Sequence, residues 1–159
     1  MTYFIVLNDF SQINYGKYLE GLVTPLIESM KKPGSTIDLE ICTDDISLNI
    51  NTSIPLGLLI NEIITNSLKH GFTNNSQGKI YVRIKAEEYP KFTLEIGDNG
   101  VGLPDSVDLE INDPDTLGLL LISSLVEQLQ GDIECNTKEA GTHYIVNFEE
   151  LTMTMPIGE

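Results

Sequence analysis

The chain has 159 residues, 41% of them hydrophobic, which is enough for one globular domain with a sizeable core. Its 24 acidic residues outnumber its 9 basic ones, and the net charge of −15 argues against nucleic acid or an anionic membrane as a main partner. No apolar run is long enough to span a bilayer, and no basic region precedes the short apolar run at the N-terminus.

Alternating and helical hydrophobic patterns divide the chain into three helices and six strands. Residues 36–42 and 46–50 are expected to pair as a hairpin through Asp44 and Asp45. The second helix should carry Pro55 in its first turn and end at Gly71. In chain order, the predicted elements are a helix over 12–31, strands over 36–42 and 46–50, a helix over 53–70, strands over 79–86 and 91–98, a helix over 117–131, and strands over 132–137 and 142–149.

No linker divides this pattern, so residues 12–149 are predicted to form one domain. Residues 1–11 would be an N-terminal arm or a cloning remnant, and residues 150–159 a flexible tail. The order of elements favours an α+β two-layer sandwich, in which a mixed, mostly antiparallel sheet is covered on one face by about three helices.

The two cysteines, Cys42 and Cys135, lie far apart and lack the spacing of a metal site. The sequence therefore predicts two reduced core thiols in a cytoplasmic domain. The sequence leaves open whether a longer protein that contained this domain would be soluble or membrane-anchored.

The helix over 53–70 combines an apolar stripe with a polar edge. At 100° per residue, Glu62, Asn66, Lys69 and His70 fall on one arc beside the stripe. A carboxylate, an amide oxygen and an ammonium on one arc suit a Mg²⁺–phosphate group, although a solvated flank explains the helix alone more simply. The stripe itself consists of Leu56, Leu59, Ile60, Ile63, Ile64 and Leu68.

Asp98 ends a strand and shares the parity of the three apolar residues before it. Its carboxylate therefore extends from the core side of the sheet, where it needs a hydrogen-bond donor. Gly100 and Gly102 follow in a turn that would let the backbone approach a ligand closely. An ordinary Asp-Asn-Gly turn that caps the strand is the alternative.

Two further segments carry polar groups at the ends of apolar elements. Asp115 and Thr116 precede the third helix, which carries Gly118, so its first N–H groups could receive an anion. An N-cap with a glycine for close packing is the simpler alternative. Thr142 comes off the apolar face of the last strand, and its hydroxyl needs a partner.

Taken in order, four segments resemble the boxes of the ATP-binding domain of the gyrase–Hsp90–histidine kinase–MutL superfamily. They are NEIITNSLKHG (61–71) for the N box, DNGVG (98–102), TLGLLL (116–121) and GTHYIVNF (141–148) for the three glycine boxes. The runs IPLGLLINEIITNSLKH and LGLLLISSLVEQLQG are similar to sensor histidine kinases of the HWE-type and related subgroup. The resemblance covers residues 10–149.

The resemblance implies the catalytic domain of a sensor histidine kinase, which binds ATP and Mg²⁺ and acts in two-component signalling. Asp98 would accept the adenine amine, Thr142 would hold a bridging water, and the backbone of Gly118 and Leu119 would cradle the phosphates. The implied cofactor-binding residues are Asn66, Lys69, His70, Asp98, Gly100, Gly102, Thr116, Leu117, Gly118, Leu119 and Thr142. The implied catalytic and metal-binding residues are Glu62 and Asn66.

A phosphoacceptor histidine is not evident in the chain. His70 lies inside the N box, and His143 is expected to be a surface or core-edge residue. The resemblance therefore implies that γ-phosphate goes to a histidine on a separate dimerisation and phosphoacceptor domain of a longer kinase. A response regulator would be reached only indirectly.

The predicted lid, residues 103–116, contains five acidic residues and no basic one. Such a lid repels a triphosphate unless a metal screens the charges, so we expect a steep dependence of nucleotide binding on Mg²⁺.

Two other functions stay open from the sequence. A serine kinase of the anti-sigma-factor kind has the same fold and phosphate donor, but the sequence NEIITNSLKH of the N box favours the histidine kinase. A non-enzymatic, nucleotide-responsive module could instead form a homodimer through the apolar residues 3–7.

Overall fold

The computed structural model describes residues 3–6, 12–72, 77–100, 114–136, 141–151 and 154–157. In these residues the helices are α1 (Tyr15–Met30), α2 (Ile50–Asn66) and α3 (Pro114–Gln128), and α2 continues into a π-helical turn (Ser67–Gly71). The strands are β1 (Tyr3–Val6), β2 (Gln12–Asn14), β3 (Thr36–Thr43), β4 (Ser47–Asn49), β5 (Gln77–Ala86), β6 (Lys91–Asp98), β7 (Asp132–Asn136), β8 (His143–Glu149) and β9 (Thr154–Ile157).

Five of these strands form the main sheet, in the order β3-β5-β6-β8-β7. β3 runs parallel to β5, and the other neighbours are antiparallel. One face of the sheet is apolar and buried, and β5 shows this alternation: Ile80, Val82 and Ile84 are buried, whereas Lys79 and Arg83 are exposed. The predicted α+β two-layer sandwich is confirmed.

The centre of the core is α2, which packs between α1, α3 and the sheet. All six residues of its predicted apolar stripe are buried, with 6% or less of their surface exposed. Burial of each such side chain contributes about 1.5–3 kcal/mol. This packing holds α2 firmly against the end of the sheet where the polar residues of the N-box segment lie.

The start of α2 is held by the segment that follows β8. Asn49 caps the helix, because its Oδ1 accepts from the Thr52 backbone N–H at 2.9 Å. The Asn49 backbone N–H donates to Glu150 Oε2 at 2.8 Å, and its Nδ2 donates to the Leu151 carbonyl at 2.6 Å. The Leu151 N–H in turn donates to Thr52 Oγ1 at 2.8 Å. The helix therefore begins three residues earlier than predicted, and Pro55 lies in its second turn.

The predicted hairpin of residues 36–42 and 46–50 is wrong. β4 pairs with β2, and β3 pairs with β5 over its whole length. The reason is visible at Asp44, whose N–H donates to the Ile84 carbonyl at 3.1 Å and whose Oδ2 accepts from the Ala86 N–H at 3.0 Å. Asp44 is therefore still hydrogen-bonded to β5 at the position where the predicted hairpin would have to turn away from it.

Both chain ends contain strand structure. The segment expected to be a flexible tail includes β9, which pairs antiparallel with β1 in the segment expected to be an arm. The pairing supplies partners for backbone N–H and C=O groups that a frayed tail would leave to water. The division of the chain into an arm, a domain and a tail stays a prediction.

Cys42 and Cys135 are free thiols, as predicted, but both are exposed rather than in the core. Cys42 lies on the outer face of β3, since its neighbours Ile37, Leu39 and Ile41 pack inward. Cys135 lies on β7, at the edge of the sheet. Among the described helices, none is both long and apolar enough to cross a bilayer.

Candidate functional site

The end of β6 and the start of β8 bring two of the predicted site residues together. The strands are antiparallel neighbours with Ile96 opposite Tyr144. The Asp98 N–H donates to the Thr142 carbonyl at 2.9 Å, which extends this ladder by one step. Both residues are buried, with 1% of Asp98 and 8% of Thr142 exposed. The parity argument that pointed both side chains towards the core is therefore confirmed.

The Asp98 carboxylate already has donors from the chain itself. Its Oδ1 accepts from the Gly100 N–H at 2.8 Å and, more weakly, from the Thr142 N–H at 3.4 Å. Its Oδ2 accepts from the Ser67 hydroxyl at 2.5 Å. Among the described residues, no buried side-chain polar atom lacks a hydrogen-bond partner. The donors that the sequence requires for this buried carboxylate are therefore supplied by the chain itself.

Ser67 is the site residue that the sequence analysis missed. It is 7% exposed and lies in the π-helical turn that follows α2. A signal was present, because Ser67 continues the buried stripe three and four residues after Ile64 and Ile63. The Ser67 hydroxyl and the Asp98 carboxylate both lie at core positions, where each needs a hydrogen-bond partner. The two groups satisfy this need by bonding to each other.

Two glycines allow the backbone of β8 to approach Asp98. Gly141 has a φ of +92°, and a Cβ there would overlap the Asp98 carbonyl oxygen. At Gly97, a Cβ would collide with the Thr142 carbonyl oxygen. The glycines before Asp98 and before Thr142 therefore set the close contact between the two strands.

Gly118 brings α3 against the polar edge of α2. A Cβ at this position would lie 2.8 Å from Glu62 Oε1, 3.5 Å from Asn66 Oδ1 and 3.6 Å from Asn66 Nδ2. Glu62 and Asn66 are both half-buried. The N-box segment and the second glycine box thus meet in the structure, and a carboxylate and an amide converge there.

The π-helical turn changes the geometry of the remaining N-box residues. Its wider turn rotates the residues after Asn66 away from the positions that 100° per residue assigns. Lys69 is exposed on this turn. The side chain of His70 lies outside the described residues.

α3 begins at Pro114, so Asp115 and Thr116 lie in its first turn and do not precede it as predicted. Gly118 is buried, Leu119 is half-buried against the core, and Leu117 is exposed. Gly102, the side chain of Thr116 and the lid up to residue 113 lie outside the described residues. The phosphate contacts proposed for this segment therefore stay predictions.

His143 lies on the opposite face of β8 from the site, where the sequence placed it. Its Nδ1 is 2.6 Å from the Tyr81 hydroxyl, and the two rings stack with centroids 5.6 Å apart. They meet over Gly97, which has no side chain to separate them. His143 is thus part of an aromatic pair on the outer sheet face.

Tyr144 shows the electrostatic character of the inner face. Burial, with smaller contributions from Cys135 and Asp98, raises the pKa of the Tyr144 hydroxyl from 10.0 to about 12. The inner face at this point thus disfavours an additional negative charge.

Comparison with known proteins gives one family for the chain. The family described as histidine kinase-, DNA gyrase B- and HSP90-like ATPase matches residues 51–152. A curated relative, blue-light-activated histidine kinase 2 of Erythrobacter litoralis, is 27% identical over 137 residues. That match covers 86% of this chain but 38% of the relative, so the chain spans about two fifths of the relative's length. An anti-sigma F factor of Bacillus licheniformis is 38% identical over 47 residues, 30% of this chain and 32% of that protein.

Solved structures show the same fold. The histidine kinase domain of the Erythrobacter litoralis blue-light activated histidine kinase superposes with a TM-score of 0.74 and 20% identity, and covers 91% of this chain and 66% of that one. The catalytic domain of histidine kinase ThkA superposes with a TM-score of 0.64 and 18% identity, over 92% of this chain and 100% of that one.

Proposed function

We propose that this chain, which belongs to the family of histidine kinase-, DNA gyrase B- and HSP90-like ATPases, is the ATP-binding catalytic domain of a sensor histidine kinase. It would donate the γ-phosphoryl group of ATP to a histidine on a separate phosphoacceptor domain. The similarity to the Erythrobacter kinase over 86% of this chain supports the proposal.

One observation carries the proposal: the buried carboxylate of Asp98. It lies at the end of the sheet, fixed by Gly100, Thr142 and Ser67, and about one of its four lone pairs is left for a further donor. An exocyclic amine of adenine supplies such a donor. Because the carboxylate is already oriented by the chain, little ordering is needed when the base arrives.

Glu62 and Asn66 fit a magnesium ion. Carboxylate and amide oxygens are the ligands Mg²⁺ prefers, and the ion commonly uses one or two protein groups together with phosphate oxygens and water. The two side chains converge on Gly118, in the second turn of α3, the helix whose first residues are proposed to receive the phosphates. A site shared between these two side chains, phosphate oxygens and water is the form consistent with that preference. When bound, Mg²⁺ would neutralise charge on the phosphate oxygens.

The chain's own residues would act mainly by positioning. Asp98 fixes the base, Asn66 and Glu62 orient the phosphate end, and the exposed Lys69 offers a positive charge to the phosphates. In the transfer, the bond between the γ-phosphorus and the oxygen that bridges it to the β-phosphate breaks. A bond from that phosphorus to an imidazole nitrogen of the acceptor forms, and ADP leaves.

Calorimetric titration of Mg·ATP into the wild-type chain and into Asp98→Asn tests the proposal. In the variant an amide N–H replaces an acceptor, so we expect affinity to fall by at least about 30-fold, the loss of a charge-assisted hydrogen bond with an unpaired donor left behind. Asp38→Asn, which removes the same charge from an exposed position on β3, is the control and should bind normally. Equal binding by wild type and Asp98→Asn would overturn the assignment of the base site.

A serine kinase of the anti-sigma-factor kind is the second candidate, and the local identity to anti-sigma F factors favours it. The product separates the two, because phosphohistidine is labile in acid whereas phosphoserine is stable. An acid-stable phosphoprotein formed from labelled ATP by this chain would replace the first candidate with the second.

A further inference from the structure

We propose that Ser67 determines how strictly the base pocket requires a 6-amino purine. This inference rests on the proposed function, since it assumes that a purine nucleotide binds beside Asp98. Ser67 acts as a surrogate donor: its hydroxyl keeps Asp98 Oδ2 satisfied whether or not the base carries an amine.

The argument begins with the two oxygens of Asp98. Oδ1 receives the backbone N–H groups of Gly100 and Thr142, which no side-chain substitution removes. Oδ2 has one donor from the chain, the Ser67 hydroxyl, among the described contacts. Ser67 is therefore the one side chain of the described site that decides whether Oδ2 is satisfied without a ligand.

Because both groups are buried, the presence or absence of a donor to Asp98 Oδ2 has a large effect on the binding free energy. Asp98 is 1% exposed and Ser67 is 7% exposed, so both groups already have little contact with bulk solvent before a base binds. A buried acceptor that loses its partner costs far more than the small net gain of forming a hydrogen bond. A pocket rejects an analogue strongly only when binding it leaves such a group unpaired.

In the wild-type chain, a purine without the amine leaves Oδ2 bonded to Ser67. The missing amine then costs the pocket one charge-assisted hydrogen bond but strands no oxygen without a donor, and we expect ATP to be preferred by about tenfold. In Ser67→Ala, the base amine is the remaining donor to Oδ2. The purine without the amine would strand a buried carboxylate oxygen, so the preference for ATP should rise.

The experiment measures dissociation constants of two ligands, ATP and purine riboside triphosphate, which has hydrogen in place of the amine. Both are titrated with Mg²⁺ into the wild-type chain, Ser67→Ala and Ser67→Thr. We expect the ratio of the two constants to rise by about tenfold in Ser67→Ala, which corresponds to one unsatisfied buried acceptor. Ser67→Thr restores a hydroxyl and should restore the wild-type ratio.

Ser53→Ala is the matched control. Ser53 is fully buried in α2, and its hydroxyl donates to the Leu48 carbonyl at 3.2 Å rather than to Asp98. A loss of helix stability or a general effect of removing a buried hydroxyl would appear in both alanine variants. Only Ser67→Ala should change the ratio, and thermal melting of each variant confirms that it is folded.

The outcomes separate the inference from the proposed function. An unchanged ratio in a folded Ser67→Ala that still binds ATP would overturn the role of Ser67 and leave the ATP site intact. A raised ratio in Ser53→Ala as well would also overturn it. Failure of the wild-type chain to bind ATP would overturn the proposed function, and this inference with it.

Discussion

Gly118→Ala should separate the stability of the fold from the function of the site. Gly118 lies inside α3, and its φ is not in the left-handed region, so alanine fits the backbone. Replacing a helical glycine by alanine stabilises a helix by about 0.5–1 kcal/mol. For a chain of this size that corresponds to about 1–4 °C in Tm. On its own, the substitution should therefore raise thermal stability.

The new methyl group would nevertheless disturb the site. Its carbon would lie 2.8 Å from Glu62 Oε1, so the carboxylate must move by a few tenths of an ångström, whereas Asn66 at 3.5 Å is in ordinary van der Waals contact and can stay in place. The end of a glutamate side chain moves cheaply, so the fold loses little. Mg²⁺ demands near-ideal octahedral geometry, and we expect the affinity for Mg·ATP to fall by about tenfold, while binding of adenosine, which lacks phosphates, stays unchanged.

Calorimetry with Mg·ATP and adenosine, together with thermal melting, measures both effects. Gly21→Ala is the control, because Gly21 is exposed in α1 and its Cβ would have no neighbour within 4 Å. It should gain stability without losing affinity. If Gly118→Ala binds Mg·ATP as the wild-type chain does, the assignment of Glu62 to the metal is wrong. A clear drop in Tm would show instead that the contact supports the fold.

Three further predictions concern the strand contact, the lid and alkaline pH. Gly141→Ala forces a Cβ into the Asp98 carbonyl oxygen at a φ of +92°. It should lower the free energy of unfolding, measured by urea titration, by about 2–4 kcal/mol. Gly34→Ala is the control: its φ is +79° but its Cβ would lie in open space, so it should lower the free energy of unfolding by about 1 kcal/mol. ATP should bind much more weakly without Mg²⁺, because the lid sequence is acidic; equal affinities would contradict this. The pKa of Tyr144 is raised to about 12 in the fold, so its stabilising contribution is complete below pH 10 and is lost as the pH rises towards 12. Tyr144→Phe should make that decline in Tm shallower, and Tyr15, whose pKa burial also raises, leaves part of it.

Strand parity and helical spacing predicted much of the fold because both are local properties of the chain. They placed Asp98 and Thr142 on the apolar face, and they placed Glu62 and Asn66 on one edge of α2. These local patterns could not predict which strands lie next to each other in the sheet. The parallel pairing of β3 with β5 spans the whole of α2, and no local pattern distinguishes it from a hairpin with residues 46–50.

The missed parts of the site have physical causes of the same kind. Ser67 was a polar residue on a buried stripe, and its partner lies 31 residues away. The π-helical turn changes the angle between residues after Asn66, which a fixed 100° step cannot represent. The positions of Lys69 and His70 relative to Glu62 were therefore beyond what helical spacing could predict.

The cap of α2 has a consequence for the order in which the protein can be built during synthesis. Asn49 receives two of its partners from residues 101 and 102 positions later in the chain. A nascent chain leaves the ribosome from its N-terminus, and loops of this length must close before such contacts stabilise anything. The helix that carries Glu62 and Asn66 thus stays incompletely anchored until Glu150 and Leu151 have emerged. Assembly of the site is consequently a late event, which follows translation of the chain as far as Leu151.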